Sequence, residues 1–342
     1  DSELDGKGRC TFHPDRDLEM IEEENYFFQF SAFQKQLLDF YTSRPDFVIP
    51  DFRYNEIKAF VERGLQDFSI SRLASKMPWG VPVPGDSGHV MYVWFDALIN
   101  YISTLGWPDD VERYTHYWIH GNPVQYCGKD NLRQQSAMWQ AMLMAANCSP
   151  TRHVIINGFL QIDGQKMSKS LGNVISPYDL VATYGEDATR YFVLRDFQDF
   201  EDTDVTHEKL YESYNAHLAN GLGNLVSRIM KMAETHLTEH PTLHTDPYGD
   251  EFRNFMDSFQ LGKAIDMLWV QINELDEKIA RTQPFILVKT EPESAREIIR
   301  ELVVELYSLA IRLEPFMPKT ARAIQESVKV NKKPDSLFLR KD

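Results

Sequence analysis

Gly164-Gln165-Lys166-Met167-Ser168-Lys169-Ser170-Leu171-Gly172-Asn173 is the stretch on which the reading of this chain turns. An Asp163-Gly164 turn opens it, and a β-rich run, Arg152 to Gly158, lies shortly before. Two lysines with two residues between them, on a loop after a strand, can meet successive phosphates of a triphosphate. Serine hydroxyls and loop N–H groups add donors. Negative charge that builds on a transferring phosphoryl group and on departing pyrophosphate is stabilised by ammonium groups held in position. Lysine pairs in general are more often just an exposed basic loop, so the surroundings of this string decide.

Upstream, His89 to Phe95 and Arg152 to Gly158 have strand composition. Between them Asn131 to Ala146 carries Leu132, Met138, Met142 and Met144 with little Gly or Pro, which predicts a helix. Strand, helix, strand is the unit of a parallel nucleotide-binding sheet, so residues 65–204 read as α/β. Residues 205–342 read as all-α. Asp204 or Thr206 can cap the first helix, along which Leu210, Tyr214, Leu218, Leu225, Ile229 and Met232 form a stripe. Phe252, Phe255, Phe259, Leu268, Ile272, Leu275 and Ile279 mark a second, and Ile298, Leu302, Leu306, Leu309 and Leu313 a third that stops before Pro315. Such stripes are core faces of a bundle. Residues 1–64 read as the end of an inserted module. It holds a turn-rich knuckle (Gly8 to Pro14), a segment of helical spacing from Phe27 to Tyr41, and a short helix from Asn55 to Gly64.

A chain of 342 residues is too long for one ordinary core. Its net charge of −15 argues against indiscriminate binding to phosphate backbones, so any nucleic-acid partner must be held by local patches and base contacts. Cys10, Cys127 and Cys148 make no disulfide framework and fit a reducing compartment. No apolar run is long enough to cross a bilayer, and Asp1 opens an acidic stretch rather than a signal peptide. The expectation is a cytoplasmic protein without a membrane partner.

The Lys166 to Ser170 string is the second signature of class I aminoacyl-tRNA synthetases. Six stretches, in order, narrow the resemblance to methionyl-tRNA synthetases: EEENYFF (Glu22 to Phe28), GLQDFSISR (Gly64 to Arg72), WGVPVPGD (Trp79 to Asp86), YVWFDALINYI (Tyr92 to Ile102), CGKDNLRQQSAMWQAML (Cys127 to Leu143) and GQKMSKSLGNVISPYDL (Gly164 to Leu180). With the helical tail they cover nearly the whole chain. The resemblance implies the second half of a class I Rossmann-type parallel sheet, with a remnant of the connective insertion, followed by an α-helical anticodon-binding bundle.

It also implies the chemistry. Methionine's carboxylate attacks the α-phosphate of ATP, which comes with Mg2+, and the acyl group passes from methionyl-adenylate to tRNA(Met). Lys166, Ser168 and Lys169 then face the phosphates, and Gly128 and Asp130 face the nucleoside. Trp94, Ala97, Leu98, Tyr101, Gln135 and Trp139 form the methionine pocket. An apolar slot with polarizable, aromatic walls suits a thioether, and a tyrosine hydroxyl adds a polar handle. Gln135 stands where well-known members carry histidine; glutamine hydrogen-bonds but does not titrate. Asn224 and Arg228, four apart on one helix face, and Phe285, where many members have tryptophan, fall at the anticodon-reading positions. Cys10 and His13 supply two of the four ligands zinc takes in the family's knuckle.

Taken without the resemblance, plainer readings stand beside these. Trp94 and Tyr101 read as core aromatics, Asp130 as a helix N-cap, Asn224 and Arg228 as a solvated face, and Cys10 with His13 as a turn without metal. The class's first signature, a His-x-Gly-His string, is not in the sequence, since the His120-Gly121-Asn122 run lies in the wrong place. The chain is therefore expected to be a fragment, one half of a split enzyme, or a truncated product, unable to activate methionine without its missing N-terminal half as partner. Two further readings remain. One is a non-catalytic tRNA-binding or assembly module derived from a synthetase. The other is a class I synthetase for leucine, isoleucine, valine or cysteine, which should lack the string around Trp94 and the Asn224/Arg228 pair.

Overall fold

The computed structural model describes residues 22–167, 173–197, 199–239, 241–243 and 248–341. The chain forms two compact units, Asp1–Ile156 and Asn157–Asp342.

The first unit is α/β. Its described part starts with β1 (Phe27–Phe28), a 3-10 turn at Phe30–Phe33 and α1 (Gln34–Ser43). β2 (Val48–Ile49) leads into α2 (Asp51–Glu62). Asp51 sits in the first turn of α2, where a carboxylate suits the helix dipole. Gly64 leaves the helix at φ +103, a conformation glycine takes without a Cβ clash. β3 (Phe68–Ser69) pairs antiparallel with β1. β4 (Ser71–Leu73), β5 (Pro82–Val83) and β6 (Asp86–Met91) make an antiparallel sheet in the order β4-β6-β5. Short helices α3 (Val93–Ala97), α4 (Asn100–Ser103) and α5 (Val111–Tyr114) follow. β7 (Val124–Gly128) then runs into a helix made of a 3-10 turn (Lys129–Asn131), a π turn (Gln134–Met138) and α6 (Trp139–Ala145). β8 (His153–Asn157) closes the unit between β2 and β7. It is parallel to β2, with Val48 opposite Val154 and Ile49 opposite Ile155. The strand–helix–strand unit is β7–α6–β8; its first strand is β7 and not the expected His89 to Phe95 run, whose strand β6 lies in the antiparallel β4-β6-β5 sheet.

Two sequence expectations need correction. The run from His89 to Phe95 is a strand only to Met91. Tyr92 is still extended, but its carbonyl accepts from the N–H groups of Phe95 (2.9 Å) and Asp96 (3.1 Å), which starts a helix. Trp94 therefore sits in the first turn of α3 and not at a strand end; short apolar runs fit either structure. The helical segment from Phe27 to Tyr41 begins only at Phe30, because Phe27 and Phe28 pair with Ser69 and Phe68.

Leu37 and Tyr41 of α1 and Ile57 and Val61 of α2 share one core with Leu132, Ala141, Val154 and Ile156. The compact units therefore cut the chain elsewhere than the sequence pattern does at 64 and 204. A second core gathers Leu98, Ile102, Tyr114, Trp118, Trp139, Met142 and Leu143.

The second unit begins with a hairpin. β9 (Leu160–Ile162) and β10 (Gln165–Lys166) are antiparallel, joined by Asp163 (φ +52) and Gly164 (φ +73). Two positive φ values in a two-residue Asp-Gly loop are the turn that matches strand twist. After α7 (Pro177–Tyr184) and α8 (Glu186–Tyr191), β11 (Thr203–Asp204) lies parallel to β9. The rest is helical: α9 (His207–Ser213), a wide π segment (Tyr214–Gly223), α10 (Asn224–His236), α11 (Asp250–Asp257), α12 (Leu261–Thr282), α13 (Pro284–Leu287), α14 (Pro292–Leu313) and α15 (Pro318–Lys329). α14 packs against α10, α12, α13 and α15. Leu302, Leu306, Leu309 and Leu313 are fully buried along it, each worth about 1.5–3 kcal/mol of transfer free energy. No described helix is long and apolar enough to cross a membrane.

Candidate functional site

In the first unit the predicted pocket residues converge. Trp94 and Tyr101 pack against the core that holds Leu98 and Trp139. Leu98 is 2% exposed and Trp139 1%, while Ala97 ends α3 at the surface. The rings of Tyr101 and Trp139 lie 5.9 Å apart at 48°. The Trp139 indole N–H is buried and has no hydrogen-bond partner among the described residues. Trp139 also lines an apolar cavity of about 260 Å³ with Phe95, Ile99 and Met142. Gln135 is buried in the π turn before α6, and its Nε2 donates to the Tyr101 hydroxyl at 3.1 Å. π turns recur at functional sites because the extra residue re-aims neighbouring side chains.

Sequence reasoning missed what lies behind Gln135. Gln125, Gln140 and Thr151 are buried with it and joined to it by hydrogen bonds. The only advance signal is a glutamine, Gln125, second in the strand β7.

Gly128 ends β7, and Asp130 follows in the exposed 3-10 turn. The backbone at Gly128 (φ −70, ψ 158) suits any residue, so the missing side chain is what a glycine supplies here. That turn is capped at Gly128 and Asp130 lies inside it, so the N-cap reading of Asp130 is corrected. Burial pushes the Cys127 thiol up to about 12, and the Asp130 carboxylate adds to the shift. Cys127 stays protonated and makes a poor nucleophile or metal ligand.

In the second unit Lys166 ends β10, opposite Gln161. The hairpin is clamped from its base to its turn. Asp202 Oδ1 accepts from the Phe159 N–H at 2.9 Å, and Asp202 Oδ2 accepts from Gln161 Nε2 at 3.2 Å. Asp204 Oδ1 accepts from the Gly164 N–H at 3.1 Å. That bond, then Lys209, holds the Asp204 carboxyl below its ordinary value. Gly158 runs so close to the segment leading into β11 that a Cβ there would lie 2.1 Å from the Glu201 carbonyl oxygen. Ser168 and Lys169 lie outside the described residues, as do Cys10 and His13. Among the described residues no cluster of three or more His, Cys, Asp and Glu side chains could hold a metal.

The same unit carries a groove of about 410 Å³ lined by Ser227, Arg228, Lys231, Met232, Ile279, Phe285 and Lys333. Arg228 and Phe285, both predicted, meet there. Asn224 lies exposed one turn before Arg228 on α10. Phe285, at the start of α13, is 47% exposed. Lys231 and Lys333 were not foreseen. They add positive charge to an aromatic groove on a chain that is otherwise acidic, a combination suited to unpaired bases and their phosphates.

The profile described as "tRNA synthetases class I (M)" matches residues 7–230. Among similar proteins, the methionine–tRNA ligase of Fusobacterium nucleatum is 34% identical over 97% of this chain and 54% of its own length. That of Thermotoga maritima is 35% identical over 99% of this chain and 56% of its own. This chain therefore spans little more than half the length of these relatives. Among solved structures, Mycobacterium tuberculosis methionyl-tRNA synthetase in complex with methionyl-adenylate superposes with a TM-score of 0.80 and 32% identity, covering 94% of this chain and 68% of that one.

Proposed function

The chain belongs to the class I tRNA synthetases of the methionyl family, and from that premise we propose that it supplies the amino-acid pocket, signature loop and anticodon helices of an enzyme that makes methionyl-tRNA. In this reading methionine's carboxylate attacks the α-phosphate of ATP, and pyrophosphate departs with its Mg2+. The substrate carboxylate is the nucleophile, so no nucleophilic side chain is required. Trp94, Leu98, Tyr101 and Trp139 wall the thioether side chain, with Ala97 at the rim and Gln135 behind Tyr101. Gly128 lets the nucleoside approach, and Asp130 accepts from its ribose hydroxyls. Lys166, Ser168 and Lys169 stabilise the charge that builds on the phosphates. The acyl group then moves to the terminal ribose hydroxyl of tRNA(Met), whose anticodon is read by Asn224 and Arg228 and stacked by Phe285. Cys10 and His13 remain a proposed half of a zinc knuckle, and the odd cysteine count supports a cytoplasmic site of action. In this reading residues 1–64, 65–204 and 205–342 are the module end, the catalytic half and the anticodon domain.

The observation that carries the reading is that Tyr101 of α4 meets Gln135 and Trp139 of the helix ending in α6 in one polar–aromatic contact, over the core that holds Leu98. The test is methionine-dependent ATP–pyrophosphate exchange by the whole protein that contains this chain. Replacing both Lys166 and Lys169 by alanine is expected to cut exchange at least about a hundredfold while methionine still binds. Undiminished exchange would overturn the assignment of the loop. A second reading, tRNA binding without chemistry, draws on the Arg228–Phe285 groove; tRNA(Met) binding without any exchange would select it.

A further inference from the structure

Gln125, Gln135, Gln140 and Thr151 are 4%, 4%, 0% and 1% exposed. Buried amides and hydroxyls must find partners, and these find one another. Their order is fixed from one end. The Thr151 backbone N–H donates to Gln140 Oε1 at 3.0 Å. A backbone N–H only donates, so this bond settles which end of the Gln140 amide is oxygen. Gln140 Nε2 then donates to the Gln135 carbonyl (2.8 Å) and to Thr151 Oγ1 (3.2 Å). The Thr151 hydroxyl, accepting there, gives its own proton to Gln125 Oε1 at 2.7 Å. Gln125 Nε2 is thereby turned to Gln135 Oε1 (3.1 Å), and Gln135 Nε2 to the Tyr101 oxygen (3.1 Å). With Gln125 Oε1 as the acceptor of the Thr151 hydroxyl, the bonds run in one sense from Thr151 to Tyr101. At the end of the chain Tyr101 receives an N–H, so its own O–H proton is left for another acceptor.

We propose that Gln125, Gln140 and Thr151 are positioning residues of the amino-acid pocket, holding the Tyr101 hydroxyl as a donor toward the sulfur of the bound amino acid. The assignment rests on the methionine reading given above and deepens it. A thioether sulfur is a weak acceptor, and the methylene in its place in norleucine is none. A donor of fixed direction therefore favours methionine over its carbon isostere. A neutral histidine at position 135 has two tautomers, only one of which presents a donor on a given nitrogen. The glutamine, oriented from Thr151, presents its N–H in one sense only.

The experiment measures dissociation constants for methionine and norleucine by calorimetry on the full protein, beside its unfolding midpoint. Thr151→Val keeps the shape and removes the hydroxyl link. The expected result is an approximately tenfold loss in the methionine-over-norleucine ratio, recovered by Thr151→Ser, which restores the hydroxyl. Gln140→Met, similar in length and without polar ends, should move the ratio the same way and serves if the valine variant does not fold. Weaker binding of both ligands with an unchanged ratio would assign these residues a structural role only and overturn the proposal. An unchanged ratio with unchanged affinities would overturn it too. Absence of methionine binding by the unsubstituted protein would instead sink the functional reading itself, and this assignment with it.

Discussion

Arg228 of α10 is ion-paired with Asp276 of α12, on the groove that Phe285 flanks. The side chains keep 36% and 51% of their exposure, so the pair adds little to stability. Its effect is on the site, where an acid holds the guanidinium and offsets its charge beside a surface suited to RNA.

Asp276→Asn should therefore tighten binding of an anticodon stem-loop by about two- to threefold at low salt. The gain should fade as salt screens the remaining charges. Fluorescence anisotropy at several salt concentrations reads this directly, and weaker binding by the variant would show that Asp276 is needed to aim Arg228.

Phe285→Ala should cost the stem-loop about 1–3 kcal/mol, the range for a lost base–aromatic stack. Phe285→Trp keeps the π-face and should bind at least as well as the parent. Equal affinity for all three would remove Phe285 from the interface.

Gly158→Ala should destabilise the second unit by about 1–3 kcal/mol, because a methyl has no room against the Glu201 carbonyl. Denaturant unfolding gives the value. A neutral result would mean that the hairpin shifts as a body.

His217 leads to a pH prediction. The Arg195 guanidinium can only donate to its Nδ1, at 3.0 Å, so that nitrogen carries no proton. Burial, then Arg195, lowers the pKa of His217 below its ordinary 6.5. The unfolded chain thus takes up a proton at a pH where the native one does not, and stability falls as pH drops below 6.5 toward the lowered value. Thermal unfolding between neutral pH and mild acid should show that fall, and His217→Gln should flatten it. An identical slope in the variant would place the titration elsewhere.

Most of the helical half could be read in advance because burial repeats along a helix face. Leu302, Leu306, Leu309 and Leu313 are all buried as their spacing implied. The choice between two caps for α9 is settled by Thr206, whose side chain accepts from the Lys209 N–H, while Asp204 pairs in β11. The second stripe hides a break. Phe259 adopts φ +59 between α11 and α12, and nothing in a phenylalanine announces a left-handed residue. α15 was not foreseen either, since its stripe is short and follows two prolines. Within the pocket, the resemblance picked out Tyr101, Gln135 and Trp139, and these residues meet. Their support from Thr151, and the arrival of Lys333 beside Arg228, depend on chain segments far apart in sequence, which local pattern does not encode.

The clamp along the hairpin joins stretches with very different legibility. Residues 201–204 carry no motif, yet their backbone and carboxylates hold Phe159, Gln161 and Gly164 in register. Transplanting the lysine string into another scaffold without that second segment would move the letters and leave behind their anchor.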